Sequence, residues 1–507
     1  MNTKEKLIVL KNAAANVVRG GAAAIVAIIL PPFLVRLMPV DSYGAWSLVL
    51  QMSAFVGYLD FGIQTAVGRF VARANEKRDP EHRDRIISTS FAALTVAGMV
   101  AITVSVAMAV LLPYIFHRMP SFLVGDVRVA FLVIASSLAI GLPASVFNGI
   151  FIGIQRYEVP AAIIGGSRII SALMVILVVK YGGDLTRMAT AVAAVNLASC
   201  GLQYLFYRRM GPRVQFSSHL VSRRAGRELF DYCLSLSIWS FAMLLVNGLD
   251  VALVGYFDFE KVAYYAVAAT LIIFLAGLQN ALFNVMIPST AVMQAQGDSI
   301  QLGKVMITAT RYGSFILLLM GMPLILAAKG ILTMWVGPKY ALQGARILQV
   351  LTAANMIRLS AVPYIMTLIG TGQQRLVTIT PLLEGVSNLI VSVTCGYFLG
   401  AIGVAIGTFV GAGVGVLGNF LYNMQRTVEI QFRIGDYLRD GLLRPLVCTL
   451  PLIAIALALP SLRMSVSALR YATIGAAVAT TLFLFWRCGL VESERERLRM
   501  WHFAPEG

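Results

Sequence analysis

The chain has 507 residues, 58% of them hydrophobic and 13% charged, with a formal net charge of +17 and a mean hydropathy of +0.79. Ordinary soluble domains are about 25% charged, and no soluble core could absorb this much apolar surface. Nucleic-acid binding is excluded too, because the basic residues lie in short segments between apolar runs and do not cluster with aromatics on a polar face.

Apolar runs of about 20 residues, each long enough to cross a bilayer as a helix, recur from end to end. They predict an all-α membrane protein with about 14 transmembrane helices. In chain order the spans fall near 14–37, 45–67, 88–112, 128–153, 158–179, 186–207, 230–256, 263–288, 306–328, 346–370, 376–399, 401–424, 442–460 and 468–487. The basic amino terminus MNTKEKLIVLKN leads into an apolar run that continues through Pro31 and Pro32 to Leu37 with no small-residue cleavage site. It therefore reads as a retained first span and not a removed signal. Two successive prolines each remove a backbone donor, which makes Pro31 and Pro32 the expected hinge. Prolines in later spans, such as Pro143, Pro323 and Pro363, carry no such weight, because proline is frequent in membrane helices.

With the amino terminus inside, the larger share of the 41 lysines and arginines falls in cytoplasmic segments, and both termini of this inner-membrane protein are expected in the cytoplasm. The two richest loops are RFVARANEKRDPEHRDR (69–85) and the stretch from Arg208 to Arg227. The second loop divides the chain into an amino-terminal lobe (1–210, spans 1–6), a basic cytoplasmic linker (211–228), a carboxy-terminal lobe (229–425, spans 7–12), two further spans (426–488) and a cytoplasmic tail (489–507). Six spans per half, an even number, predict two six-helix lobes related as a parallel pseudo-repeat. The turn after PPFLVRLMPVDSYGAW, followed by a span with Asp60, has a faint echo in GYFDFEKVAYYAV, followed by a span with Gln279 and Asn280.

The four histidines lie in loops or the tail, and the five cysteines are scattered without metal-ligand spacing, so neither a metal nor a cofactor is implied. A Gly-x-Ser-x-Gly elbow and a nucleotide-binding Gly-x-x-x-x-Gly-Lys loop are absent, and the outer loops are short, which argues against an enzyme. What remains are ionisable residues inside spans, each costing on the order of 2.5–3.5 kcal/mol at a helix centre unless paired or wetted. Arg19, Arg168 and Arg358 are candidates for a cationic cavity that binds a phosphate-bearing headgroup, since guanidinium pairs bidentately with phosphate and stays charged when buried. Asp60, Asp250 and Glu384 are candidate coupling or structural charge partners. Arg19 with Asp60 reads first as a structural salt bridge between adjacent helices at similar depth; Arg168 and Arg358 have no evident carboxylate at matching depth.

DSYGAWSLVLQ (41–51), GYLDFGIQTAVGRFVA (57–72) and PASVFNGIFIGIQRYEVP (143–160) resemble the polysaccharide transporter family of bacterial lipid-linked oligosaccharide flippases, within the multidrug/oligosaccharidyl-lipid/polysaccharide exporter superfamily, which implies a bacterial inner membrane. The resemblance implies two six-helix lobes around a central cationic cavity, alternating access, and a substrate carried on undecaprenyl diphosphate and moved from the cytoplasmic to the periplasmic leaflet. Its implied partners are the bilayer, the lipid-linked glycan and the glycosyltransferases and polymerase of the same pathway. A cation-coupled drug or metabolite exporter of the same superfamily, and a membrane glycosyl polymerase or acyltransferase, stand as alternatives.

Overall fold

The computed structural model describes residues 25–212, 214, 217–373, 378–427, 429–458, 467–490 and 494–495. Among the described residues every regular element is helical. Ten helices there are long and apolar enough to cross a bilayer, eleven when the bent pair Arg223–Leu234 and Leu236–Gly248 is taken as one span. The expected first, thirteenth and fourteenth spans run into or beside residues outside those described. The chain forms two compact units, Met1–Phe274 with Glu384–Gly407 and Leu275–Leu383 with Thr408–Gly507.

In the first unit, α1 (Ile25–Leu37) is helical through both Pro31 and Pro32. It is followed by α2 (Val40–Tyr58), α3 (Ile63–Glu76) and α4 (Pro80–Ile115). The unit continues through α5 (Ser121–Gly141), α6 (Ser145–Gly153), α7 (Glu158–Lys180) and α8 (Leu185–Met210). After α9 (Arg223–Met243) a π turn, Leu244–Gly248, leads into α10 (Asp250–Phe257). Widening to a π turn spoils the α-helical bonding pattern, and side chains of other helices engage its carbonyls. Gln51 Nε2 donates to Gly248 O at 2.5 Å and Asn388 Nδ2 to Val246 O at 3.0 Å.

Two spans of this unit are broken in mid-course. Between α2 and α3 the chain turns over Leu59–Gly62, and between α5 and α6 over Leu142–Ala144, at Pro143. The short helices that follow pack on each other through glycines. A Cβ on Gly149 would stand 2.7 Å from Gln64 O and 2.8 Å from Val67 Cβ, and one on Gly153 2.7 Å from Val71 Cβ. The two backbones thus approach as closely as small-residue helix pairs do in membranes. Val67, Phe70, Val71, Ile150 and Phe151 close the core beside them.

The plan recurs later in the chain. Between α11 (Val262–Phe283) and α12 (Met286–Ala295) the chain turns at Asn284 and Val285, and α13 (Ser299–Leu326) follows. After α14 (Ala328–Val336), α15 (Pro338–Leu359) is broken from α16 (Val362–Gly370) next to Pro363. As α3 packs on α6, α12 packs on α16.

The turns match in detail. Arg78 (φ 55°) precedes the helix-capping Asp79, and Gly297 (φ 74°) precedes Asp298. Asp79 accepts from His82 N at 3.0 Å and Asp298 from Gln301 N at 3.0 Å, each satisfying an orphan donor at the start of a long helix. Gln155 (φ 60°) after α6 matches Gly372 (φ 71°) after α16, and each turn is closed from the next residue: Arg156 N to Phe151 O at 2.8 Å and Gln373 N to Leu368 O at 2.9 Å. The expected pseudo-repeat is thus visible in the backbone geometry of these turns. The remaining helices are α17 (Ile379–Leu399), α18 (Ala401–Gly418), α19 (Arg444–Ala458) and α20 (Ser467–Leu484). Within the second unit α19 packs on α13 and α20 on α19.

Candidate functional site

The break between α2 and α3 places Asp60 at the amino end of α3, where unpaired N–H groups and the helix dipole favour a carboxylate. Gln64 N donates to Asp60 Oδ2 at 3.4 Å, and Ser145 Oγ, at the start of α6, donates to Oδ1 at 3.2 Å. The two broken spans are therefore tied together at their breaks by a carboxylate–hydroxyl bond.

Asp60 opens onto a cavity of about 370 Å³ in the first unit, lined also by Gln64, Ser137, Ser145, Ser167, Arg168, Asn196, Ser199 and Cys200, with Gly57, Gly141, Leu142 and Ile164 between them. Several of the polar groups are held by neighbours: Asn196 Nδ2 donates to Ser137 Oγ at 3.3 Å, Ser137 Oγ to Ile134 O at 2.7 Å, and Ser167 Oγ to Ile164 O at 2.9 Å. The lining combines one guanidinium, one carboxylate, hydroxyls and amides between apolar helices. Such a set offers hydrogen-bond donors and acceptors and charges of both signs to one space.

Of the residues singled out from the sequence, Asp60 and Arg168 are thus brought to one cavity. The turn at Leu59–Gly62 supplies Asp60 to this cavity and α7 supplies Arg168. Arg19, and with it the expected pair with Asp60, lies outside the described residues. Arg358 is in the second unit, in the last turn of α15, where its Nη1 donates to Asn355 Oδ1 at 3.2 Å. Asp250 begins α10 and accepts from Tyr265 OH at 3.2 Å, and Glu384, in α17, is buried. Among the described residues no group of three or more His, Cys, Asp or Glu could hold a metal ion.

Sequence reasoning passed over the polar wall, Ser137, Ser145 and Asn196, because single serines and asparagines in apolar helices carry no periodic signal. Ser145 lay inside a quoted motif, PASVFNGIFIGIQRYEVP, and its partner Asp60 inside another. Arg311 was also passed over, although it stands inside the expected span 306–328 and the rule that selected Arg168 applies to it equally.

Residues 9–294 match the family described as polysaccharide biosynthesis protein. The chain belongs to this family. The match covers both broken spans of the first unit and α12 of the second, so it contains the whole of the cavity. Among curated proteins the chain is 22% identical over 390 residues to the uncharacterised membrane protein EpsK of Bacillus subtilis (strain 168), covering 76% of each. Among solved structures it resembles the lipid II flippase MurJ in an inward closed conformation, with TM-score 0.74, 15% identity, and 94% of this chain and 99% of that one covered. It also resembles an inward-facing multidrug resistance transporter of the MATE family and MOP superfamily, with TM-score 0.56, 18% identity, and 80% and 99% covered. At these identities the structures show the fold. Family and fold together make the chain a multi-pass membrane protein of the polysaccharide biosynthesis family.

Proposed function

We propose that this chain flips undecaprenyl-diphosphate-linked oligosaccharide from the cytoplasmic to the periplasmic leaflet of the bacterial inner membrane, by alternating access, for polysaccharide biosynthesis. The observation that carries the reading is the polar cavity of the first unit, where Arg168 faces the same space as Asp60 in a member of the polysaccharide biosynthesis family. An arginine that stays charged in an apolar setting attracts a diphosphate, and the hydroxyl and amide wall suits the sugar next to it. The polyprenyl chain remains in lipid. In this reading Arg358 and Arg19 extend the cationic path, and Asp250 and Glu384 are coupling or structural charges. Pro31 and Pro32 supply the hinge of the first span, and the lobes are 1–210 and 229–425 with the linker 211–228, followed by spans at 426–488 and the tail 489–507. Both termini face the cytoplasm, and glycosyltransferases and a polymerase of the pathway supply and consume the glycan.

The likeness to a multidrug resistance transporter supports a second reading, cation-coupled export of a drug or metabolite through the same fold. Reconstituted protein separates the two. In the flippase reading Arg168→Ala loses translocation of a lipid-linked oligosaccharide while inserting normally, and Arg168→Lys keeps part of it. If Arg168→Ala flips at the wild-type rate, the cavity does not read the diphosphate through Arg168.

A further inference from the structure

A second cavity of the first unit, about 490 Å³, shares no lining residue with the one around Asp60. Ser88, Phe91 and Ala92 of α4, Phe147 of α6, Tyr204 of α8 and Val221, just before α9, line it. Its aromatic wall is fixed by packing. Phe147 is 6% exposed, stacks on Tyr207 with ring centroids 4.9 Å apart and meets Tyr204 at 5.6 Å. On the opposite side Ser222 N donates to Thr89 Oγ1 at 3.3 Å, which holds the segment before α9 against α4. The space is therefore preformed, and its size suits a small ligand or one hydrocarbon chain.

Ser88 is near the start of α4 and Tyr204 near the end of α8. The cavity thus lies at the end of these helices that carries the two basic segments, 69–85 and 208–227. Residues three, four and seven positions apart share a helix face. On α4 the face of Ala92 continues away from that end through Thr95 and Met99, both exposed. On α8 the face of Tyr204 continues the same way to Leu197, also exposed. Exposed apolar side chains on spanning helices meet the acyl chains of the bilayer, so the cavity adjoins lipid. Toward the basic end the same face of α8 finishes at Arg208, which is exposed and about 6 Å beyond Tyr204 along the axis. Asp84, one turn before Ser88, is paired with Arg83 at 2.9 Å. An apolar row, an aromatic ring and then a cation at the water boundary follow the order of a lipid lying alongside, chain inward and phosphate outward.

We propose that this cavity binds one acyl chain of an anionic phospholipid from the leaflet on the basic side, with Arg208 engaging the lipid phosphate. The chain enters between Tyr204 and Val221, both more than two-fifths exposed at the mouth, and rests on Phe91 and Phe147. It bridges α4, α6 and α8 to the segment before α9. The site neither uses nor requires the cavity around Asp60.

Photolabelling of the full-length protein in phosphatidylcholine vesicles tests this, with a phosphatidylglycerol or phosphatidylcholine probe that carries a diazirine in its acyl chain. Phe147 is buried, so a lipid-borne carbene reaches it through the cavity, whereas Met99 on the open face of α4 reports ordinary contact with lipid. In the wild type, Phe147 should be labelled about fivefold more by the phosphatidylglycerol probe than by the phosphatidylcholine one. Ala92→Phe, which fills the space, and Val221→Trp, which blocks the mouth, should each remove the label from Phe147 and leave that on Met99. Arg208→Gln should bring the two probes level. If Phe147 is labelled by neither probe, the cavity is closed by the chain itself and holds no lipid. Equal labelling of wild-type Phe147 by both probes, or labelling that survives in both filled variants, would likewise overturn the site.

Discussion

Arg128 of α5 donates its Nε–H to the carbonyl of Ala109 in α4 at 3.0 Å. Ala109 lies four residues before Pro113, a proline inside α4, and a proline cannot return the i to i−4 bond that this carbonyl would otherwise accept. An orphan carbonyl at membrane depth is costly, and Arg128 answers it. Arg128→Met is therefore expected to lower stability by about 1–3 kcal/mol. In a Pro113→Ala background, where the helix supplies its own N–H, most of that loss should disappear. Thermal unfolding of the two single variants and the double variant measures the coupling; additive losses would show that the bond does not serve the proline break.

The contact between α3 and α6 rests on glycines, and it gives the second expectation. Because a Cβ on Gly149 would meet Gln64 O at 2.7 Å and Val67 Cβ at 2.8 Å, Gly149→Ala should force the helices apart at a cost of about 1–3 kcal/mol. Gly166, with open space around it, is the control, and Gly166→Ala should be near neutral. Comparing the yield and melting temperature of the two variants tests whether backbone approach, and not glycine content, holds the broken spans together.

Much of this was legible in advance, and the parts that were not share a cause. Hydropathy marks spans because the bilayer demands whole apolar helices. The motifs at 57–72 and 143–160 fell on the two broken spans because breaks need turn residues, such as Pro143, that stand out locally. Charge within a span selected Asp60 and Arg168 one at a time. That they share a cavity depends on the rotation of α7 and on the turn at Leu59–Gly62, neither of which leaves a mark in linear spacing. Arg311 illustrates the limit further. Its partner Glu494 is 183 residues away, and no local pattern joins a mid-span arginine to a polar tail.

Asp60 accepts hydrogen bonds from Ser145 and Gln64 and lines the cavity, and in the proposed flippase its second duty is to bring negative charge there. Asn keeps an accepting oxygen and removes the charge. Asp60→Asn should therefore insert and melt close to the wild type, within about 0.5 kcal/mol, while translocation falls by about tenfold, equivalent to ~1.4 kcal/mol. Asp60→Ala should lose both stability and transport. Flipping assays and melting curves on the same preparations decide it, and wild-type transport by the Asn variant would reduce Asp60 to a helix-start ligand.

The repeat supplies a last test, because it sets the same backbone task to different residues. Arg78 and Gly297 occupy matching left-handed positions before capping aspartates, with φ 55° and 74°, and Gln155 and Gly372 match after α6 and α16, with φ 60° and 71°. Nothing lies within 4 Å of where a Cβ on Gly297 or Gly372 would stand, so packing does not oppose a side chain at either glycine. What opposes it is the left-handed backbone, at roughly 1–2 kcal/mol for a residue with a Cβ. Gly297→Ala and Gly372→Ala should each lose about 1 kcal/mol, and Arg78→Gly and Gln155→Gly should relieve the corresponding strain, less what the freer unfolded chain takes back. Melting temperatures should then rank both alanine variants below the wild type and neither glycine variant far from it. Equal stability of Gly297→Ala and wild type would mean that the turn before Asp298 adopts another conformation in the membrane, and that the correspondence between Arg78 and Gly297 does not extend to backbone geometry.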